Sequence, residues 1–453
     1  MKPARLISIS FLLLISIGTL LLVLPSASKD GQSIGFLRAF FTSTSAVCVT
    51  GLVTVDTASH WTLFGQIVIM SLIQCGGLGL ITITTFFFVL ARRKLGFKTM
   101  IVAQESTASF SFNDVVKLVR RIVVITVSIE MVGAILLASR YIPAFGFSRG
   151  GFKAVFQAVS AFCNAGFDLL GDTASGPFSS LTAWNGEPMV ILVTGFLLIL
   201  GGLGFIVISS IIEYPKKKML PYHSRLVLIT TAILLLSGTV FFFIAEYGNT
   251  GKNALGTLPF GQKILAAFFQ STTPRTAGFN SIDQGNLTDS SKIMTTLLMF
   301  IGASPGSTGG GIKTTTFALL LASVFAELRG SEYTILLRHR ISRAIFNKSF
   351  LILALGLSVV ILTTLFMTFT EHSLLESGKI STLDLLFEAT SAFGTVGLSS
   401  AGTPGLSEPS WVALSLSMII GRIGPASFAI SLMQGAKPET REKVYPEGRC
   451  IVG

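Results

Sequence analysis

The sequence predicts an all-α polytopic membrane protein built from four helix–hairpin–helix repeats. Half of its 453 residues are hydrophobic and only 12% are charged, with a mean hydropathy of +0.72. A soluble chain carries about a quarter charged residues. Apolar runs near the roughly 20 residues that cross a bilayer recur along the chain. The second observation is a phrase that occurs four times, a Phe ten residues before a Gly, in Phe41…Gly51, Phe156…Gly166, Phe268…Gly278 and Phe387…Gly397. These glycines fall roughly 115 residues apart, and a repeat sets the architecture before any other reading. Four short helices, each ending in a Gly-containing turn, can ring one axis. The expectation is therefore eight transmembrane helices in pseudo-fourfold helix–pore-loop–helix order around a central ion pore lined by backbone carbonyls.

Each repeat divides in the same way. The first, 1–95, spans from Leu6 to Leu24, forms a short pore helix from Leu37 to Val47, turns, and returns from Leu63 to Leu90. The second, 96–220, uses Val116–Ser139, Phe152–Phe162 and Met189–Ile212. The third, 221–340, uses Leu226–Ala245, Phe260–Thr272 and Ile293–Leu328. The fourth, 341–435, uses Phe350–Phe369, Leu383–Phe393 and Trp411–Leu432, and 436–453 is a C-terminal tail. Segments of about 11 residues are too short to cross. Non-helical backbone after them is tolerated at membrane depth only where it is buried in protein or lines water. Gly-x-x-Gly recurs in three return helices, at Gly76…Gly79, Gly201…Gly204 and Gly421…Gly424, as expected for close helix packing. An insertion, Ala174 to Pro188, lengthens the second repeat and reads as an external loop.

The net charge of +12 is distributed as membrane topology requires. Arg92-Arg93-Lys94, Arg120-Arg121, Lys216-Lys217-Lys218 and Arg338, Arg340 and Arg343 sit between apolar runs, where the positive-inside rule puts them in the cytoplasm with both termini. No separate basic domain exists for nucleic acid. The first 28 residues imitate a signal peptide, but their removal would delete a spanning helix that the other repeats possess, so the segment is read as retained. Four Cys show no paired spacing and four His are scattered, which supports neither a disulfide framework nor a metal centre. Cys48 and Cys163, each three residues before its repeat's Gly, read as small packing residues. Glu130 and Arg422 are too few and too far apart for an intramembrane enzyme.

The four turns carry the chemistry. Dehydrating a potassium ion requires weak oxygen donors that replace its water. The carbonyls of Val49-Thr50-Gly51, Asn164-Ala165-Gly166, Thr276-Ala277-Gly278 and Thr395-Val396-Gly397 can supply them. Each turn has a single Gly, where φ is positive or the backbone approaches the ion closely, so discrimination against sodium should be loose. Asn164 breaks the symmetry with a side-chain amide. Arg275, beside the third turn, is expected to point away toward a carboxylate, Asp283 or Glu388. In the third return helix, Gly302-Ala303-Ser304-Pro305-Gly306-Ser307-Thr308-Gly309-Gly310-Gly311 cannot continue a helix, so an unwound intramembrane loop, 302–312, is expected below the turns. Its end looks like a phosphate loop, but Ile312 rather than Gly precedes Lys313, and no strand leads into it. Arg422, buried in the fourth return helix, is a functional candidate by default. It can repel cations in the cavity or bond to carbonyls of Gly306 to Gly310.

Four stretches then carry a resemblance over about Arg5 to Pro446: Ser45-Ala46-Val47-Cys48-Val49-Thr50-Gly51-Leu52, Thr276-Ala277-Gly278-Phe279-Asn280-Ser281, Ser307-Thr308-Gly309-Gly310-Gly311-Ile312-Lys313 and Gly421-Arg422-Ile423-Gly424-Pro425. The chain resembles the Trk/Ktr/HKT superfamily of potassium transporters, and most closely the Ktr-type membrane subunit of bacteria. The resemblance implies a sodium-dependent potassium uptake protein of the bacterial plasma membrane, or alternatively a Trk- or HKT-like sodium or sodium/potassium symporter. It implies that Gly302 to Gly311 form a gate that obstructs the pore, with Lys313 at its cytoplasmic end. It further implies a homodimer with the tail at the dimer contact. A ring of Ktr-type cytosolic regulatory subunits would bind ATP or ADP and contact Arg92–Lys98 and Arg338–Arg343. Potassium, and sodium beside it, are then the ions handled, no cofactor is bound by the chain itself, and lipids are its remaining partners.

Overall fold

The computed structural model describes residues 3–79, 115–173, 176–331, 333–425 and 428. Among these, three helices are long and apolar enough to cross a membrane, Val119–Phe145, Tyr222–Glu246 and Arg343–Thr370. Shorter apolar helices, Ile7–Leu22, Leu63–Leu78 and Thr314–Leu328, stand beside them. Four short helices occur at the repeated phrase: Phe36–Cys48, Phe147–Phe162, Phe260–Thr272 and Thr382–Gly394. Each packs against the long helix before it. Phe41, Phe156 and Phe387 of the repeated phrase are fully buried there, which explains the aromatic at that spacing.

The helices close on themselves. Leu63–Leu78 packs on the second short helix, Pro188–Leu203 on the third, Asp289–Phe300 on the fourth, and Glu408–Ile423 on the first. A carboxylate at the end of a long helix repeats as a clamp. Glu246 accepts from Thr288 N at 3.0 Å and Thr288 Oγ1 at 2.7 Å, while Glu371 accepts from Ser407 N at 2.8 Å and from the Ser407 and Ser410 hydroxyls. Thr288 and Ser407 are the N-cap residues of the following helices. Each carboxylate therefore holds the start of the return helix, where orphan amides favour an anion.

The return helices differ from the continuous spans expected. The second glycine of every Gly-x-x-Gly ends its helix: Gly79, Gly204 and Gly424 are C-cap residues with φ of 80°, 93° and 93°. Only glycine adopts this backbone without strain. At Gly204 the chain bends by 100° from Pro188–Leu203 into Phe205–Lys217. The first glycine is the packing residue, because a Cβ at Gly76, Gly201 or Gly421 would strike the carbonyl of Val47, Phe162 or Phe393 at the end of a short helix. The expected continuation from 80 to 90, the basic stretch 92–98 and the tail 436–453 lie outside the described residues.

The all-α expectation also misses a two-residue β-hairpin, Ile335–Leu336 with His339–Arg340. Leu337 and Arg338 both have positive φ, at 47° and 64°, the geometry of a tight hairpin loop. The sequence lacks the Asn-Gly signal for such a loop. Beside the turn, His339 packs on Tyr222 with the rings tilted by 44° and Arg340 lies over the Tyr333 ring.

Candidate functional site

The four triplets leave their short helices in one conformation. Val49, Asn164, Thr276 and Thr395 have φ of 57°, 58°, 71° and 51°, and Gly51, Gly166, Gly278 and Gly397 have φ of 94°, 70°, 80° and 97°. The residue between them keeps ordinary φ, so handedness alternates along each strand. A left-handed Val or Thr is strained by about 1–2 kcal/mol, and such strain persists only where surroundings over-determine it. Here the end of the short helix does so. Thr50 N donates to Ser45 O at 2.8 Å, Ala165 N to Ser160 O at 2.7 Å and Val396 N to Ser391 O at 2.8 Å. Ser45 Oγ and Ser391 Oγ also accept from Gly51 N and Gly397 N, at 3.0 and 3.1 Å. The third strand departs, with Ala277 N bonding Thr273 O at 3.0 Å.

The strands meet in cyclic order. A Cβ at Gly51 would stand 2.5 Å from Ala165 O and one at Gly166 would stand 2.9 Å from Ala277 O. One at Gly278 would strike Val396 O, and one at Gly397 would strike Thr50 O, closing the circle. All four glycines line one cavity of about 430 Å³, with Asp56 and Asp168 on its wall. Asp168, in the loop leaving the second strand and outside every spanning helix, has its carboxyl pushed up to about 6 by burial, against the Leu170 amide that it accepts from. The Asn164 amide, paired with Thr276 Oγ1 at 3.0 Å, joins the second strand to the third. With its oxygen turned toward that hydroxyl, its nitrogen reaches Ala161 O and Leu198 O, both at 3.1 Å.

At the opposite end of the ring lies the expected break in the third return helix. The helix Asp289–Phe300 stops and Thr314–Leu328 begins, with the loop between them pinched by a parallel bridge, Ile301 to Ile312. Ser304 Oγ and Thr314 Oγ1 meet at 3.0 Å across its neck. A Cβ at Gly309 would strike Thr276 Oγ1 and one at Gly310 would strike Thr395 Oγ1. The loop therefore presses on the first residues of the third and fourth strands, and glycine is needed for that approach. Gly310 N donates to Thr395 Oγ1 at 3.0 Å.

The loop also completes the broken helix at Gly204. That break leaves carbonyls and amides without helical partners. Ser304 N donates to Gly202 O at 3.0 Å, Thr308 N to Gly201 O at 3.3 Å, and Phe205 N to Gly306 O at 3.0 Å. Thr308 Oγ1 adds bonds to Gly201 O at 3.2 Å and Phe162 O at 3.3 Å. Pro305 O lies against Gly204, and Ser307 N bonds Ser304 O at 3.3 Å. None of these partners was legible in the sequence, although the Gly-x-x-Gly spacing marked the place.

Two cations hold the loop. Arg422 donates to Thr308 O and to Gly76 O, bridging the loop to the first return helix. Lys313 Nζ donates to Gly309 O at 2.7 Å and Gly310 O at 3.3 Å. Among the described residues neither has a carboxylate partner.

One expectation changes. Arg275 is buried but meets no carboxylate among the described residues; its Nη2 reaches Thr231 Oγ1 at 3.4 Å and its Nε is unpartnered. Glu388 accepts instead from Ser399 and Thr403, and Asp283 from Asn286 and Gly285, because those donors are local in sequence. Cys48 packs in the apolar core as expected. Cys163 packs in the same core, and its thiol also donates to Gln74 Oε1 at 3.6 Å and Glu130 Oε1 at 3.8 Å, a polar cluster behind the second strand.

The residues 2–437 match the family model described as TrkH, cation transport protein. The chain is 39% identical over 451 residues to the Ktr system potassium uptake protein B of Bacillus subtilis, covering 100% of this chain and 97% of that one. It is 38% identical over 456 residues to the potassium/sodium uptake protein NtpJ of Enterococcus hirae, covering 100% and 98%. The crystal structure of the potassium transporter TrkH from Vibrio parahaemolyticus shares the fold, with a TM-score of 0.72 at 17% identity over 96% of this chain and 85% of that one. The family and these relatives are ion transporters, not enzymes. The chain belongs to the TrkH family of cation transport proteins.

Proposed function

We propose that the chain takes up potassium across the bacterial plasma membrane through the ring of four triplets. Val49–Gly51, Asn164–Gly166, Thr276–Gly278 and Thr395–Gly397 act as the selectivity filter, and loop 302–312 with Lys313 and Arg422 acts as the gate. The observation that carries this reading is the cyclic contact of the four glycines, with a cavity at one end of the ring and the loop against the other. Main-chain oxygens in such a ring replace an ion's hydration shell. The chain acts as a homodimer of eight-span subunits with cytoplasmic termini, and a cytosolic nucleotide-binding subunit biases the gate by binding its two states differently. Uptake is sodium-dependent. The test is growth of a potassium-uptake-deficient bacterium at limiting potassium, with and without a co-expressed Ktr-type regulatory subunit. Rescue that is stronger with the regulator is expected, and no rescue under either condition rejects the reading.

The name of the Enterococcus relative favours a second reading, sodium/potassium symport. Uptake measured with each ion alone and then together separates the two, because a symporter moves neither ion well by itself.

A further inference from the structure

Lys313 is the loop's own cation. Its Nζ lies 2.7 Å from Gly309 O, the spacing of a charge-assisted bond, and 3.3 Å from Gly310 O. An ammonium group and a potassium ion are close in size, and both are met by oxygen at such distances. The donors here are bare main-chain carbonyls, the same kind that a filter presents. Among the described residues no carboxylate neutralises Lys313. Its charge is met by peptide dipoles, as that of a migrating ion would be. The two residues whose oxygens it holds are the ones that abut Thr276 and Thr395 at the end of the ring.

We propose that the carbonyls of Gly309 and Gly310 form a monovalent-cation site next to the filter, which the Lys313 ammonium fills in this conformation and a potassium ion fills when the ammonium leaves. This deepens the transport reading and rests on it. Arg422 works differently: a planar guanidinium forks between two carbonyls on separate elements and is a brace. The lysine is a compact charge on a flexible stem. Being tethered a few residues away, it competes with free ions at an effective concentration in the millimolar range or above.

The test uses the full-length chain in liposomes, with rubidium flux measured for wild type, Lys313→Ala and Lys313→Gln, and ethylammonium added as a soluble stand-in for the lost group. The Gln variant keeps a donor for the same carbonyls without the charge, so the loop retains its bonds. Both variants should carry about fivefold more rubidium than wild type. Ethylammonium should inhibit Lys313→Ala at a concentration about tenfold below that needed for wild type, because the tethered competitor is gone. Equal ethylammonium sensitivity in wild type and Lys313→Ala, or no rise in flux in either variant, overturns the site. Absence of rubidium flux from wild type and both variants overturns the transport reading and the site with it.

Discussion

Gly51 lies so close to Ala165 that a Cβ on the glycine would stand 2.5 Å from the alanine's carbonyl oxygen, and the same relation recurs around the ring to Gly397 and Thr50. Two separate demands fall on each glycine, a positive φ and contact with the next strand. Gly397→Ala is expected to abolish potassium-dependent growth rescue, since strain of about 1–3 kcal/mol adds to a backbone collision. Gly405 lines the same cavity but has open space around it. Gly405→Ala should rescue as wild type does, and a matched loss in both variants would refute the ring argument.

Thr395 joins the ring to the loop through its hydroxyl. Thr395→Val keeps the shape and the β-branching but leaves Gly310 N without a partner, at a cost of about 1–3 kcal/mol. Rubidium flux in liposomes without any regulator should rise by at least about fivefold, the factor that the lower end of that cost implies.

Arg422 spans Thr308 and Gly76. Arg422→Gln should raise basal flux and blunt the response to a co-expressed regulator, because the loop loses its brace to the first return helix. Unchanged flux and regulation would remove Arg422 from the gate.

Lys292 and Asp384 form a buried ion pair at 2.7 Å between the third return helix and the fourth short helix. Asp384 also completes a capping box with Ser381. Lys292→Met alone strands a buried carboxylate and should destabilise the protein by about 3–5 kcal/mol. The double variant Lys292→Met/Asp384→Leu should recover part of that loss, read as thermal unfolding in detergent.

Asp168 offers a pH test. Its carboxyl, raised to about 6 by burial, is charged above that pH and neutral below it. The charged form attracts cations to the cavity wall, so uptake at limiting potassium should fall as external pH drops through about 6. Asp168→Asn should be low and flat across the same range. Asp56 and Lys153 act on the same group, so Lys153→Met should move the midpoint upward.

The legible parts of the molecule were those set by local periodicity. The third short helix has the bounds that the sequence predicts, Phe260–Thr272, because its ends coincide with Pro259 and with the polar Thr-Thr-Pro turn. The glycines of the triplets were legible because each sits at a fixed distance from a Phe, which is fully buried in three of the four repeats. The bend at Gly204 was not, since Leu203-Gly204-Phe205 reads as ordinary small-residue packing. What breaks the helix there is a loop a hundred residues later that supplies the missing hydrogen-bond partners. Arg275 was misjudged for a related reason: the carboxylates expected to meet it, Asp283 and Glu388, are committed to hydroxyls and amides of their own loops. Long-range pairing of this kind leaves no period in a single sequence.

The bent second return helix has a mechanical consequence. Its outer arm, Phe205–Lys217, is about 20 Å long at 1.5 Å per residue. Gly204 is its fulcrum, and its first amide grips Gly306 in the middle of the loop. The far end carries Lys216 and Lys217, with Lys217 and Arg121 paired to Glu213. A displacement of that distant basic tip would pivot at Gly204, one residue from the amide that bonds the loop, without any part of the ring having to be touched.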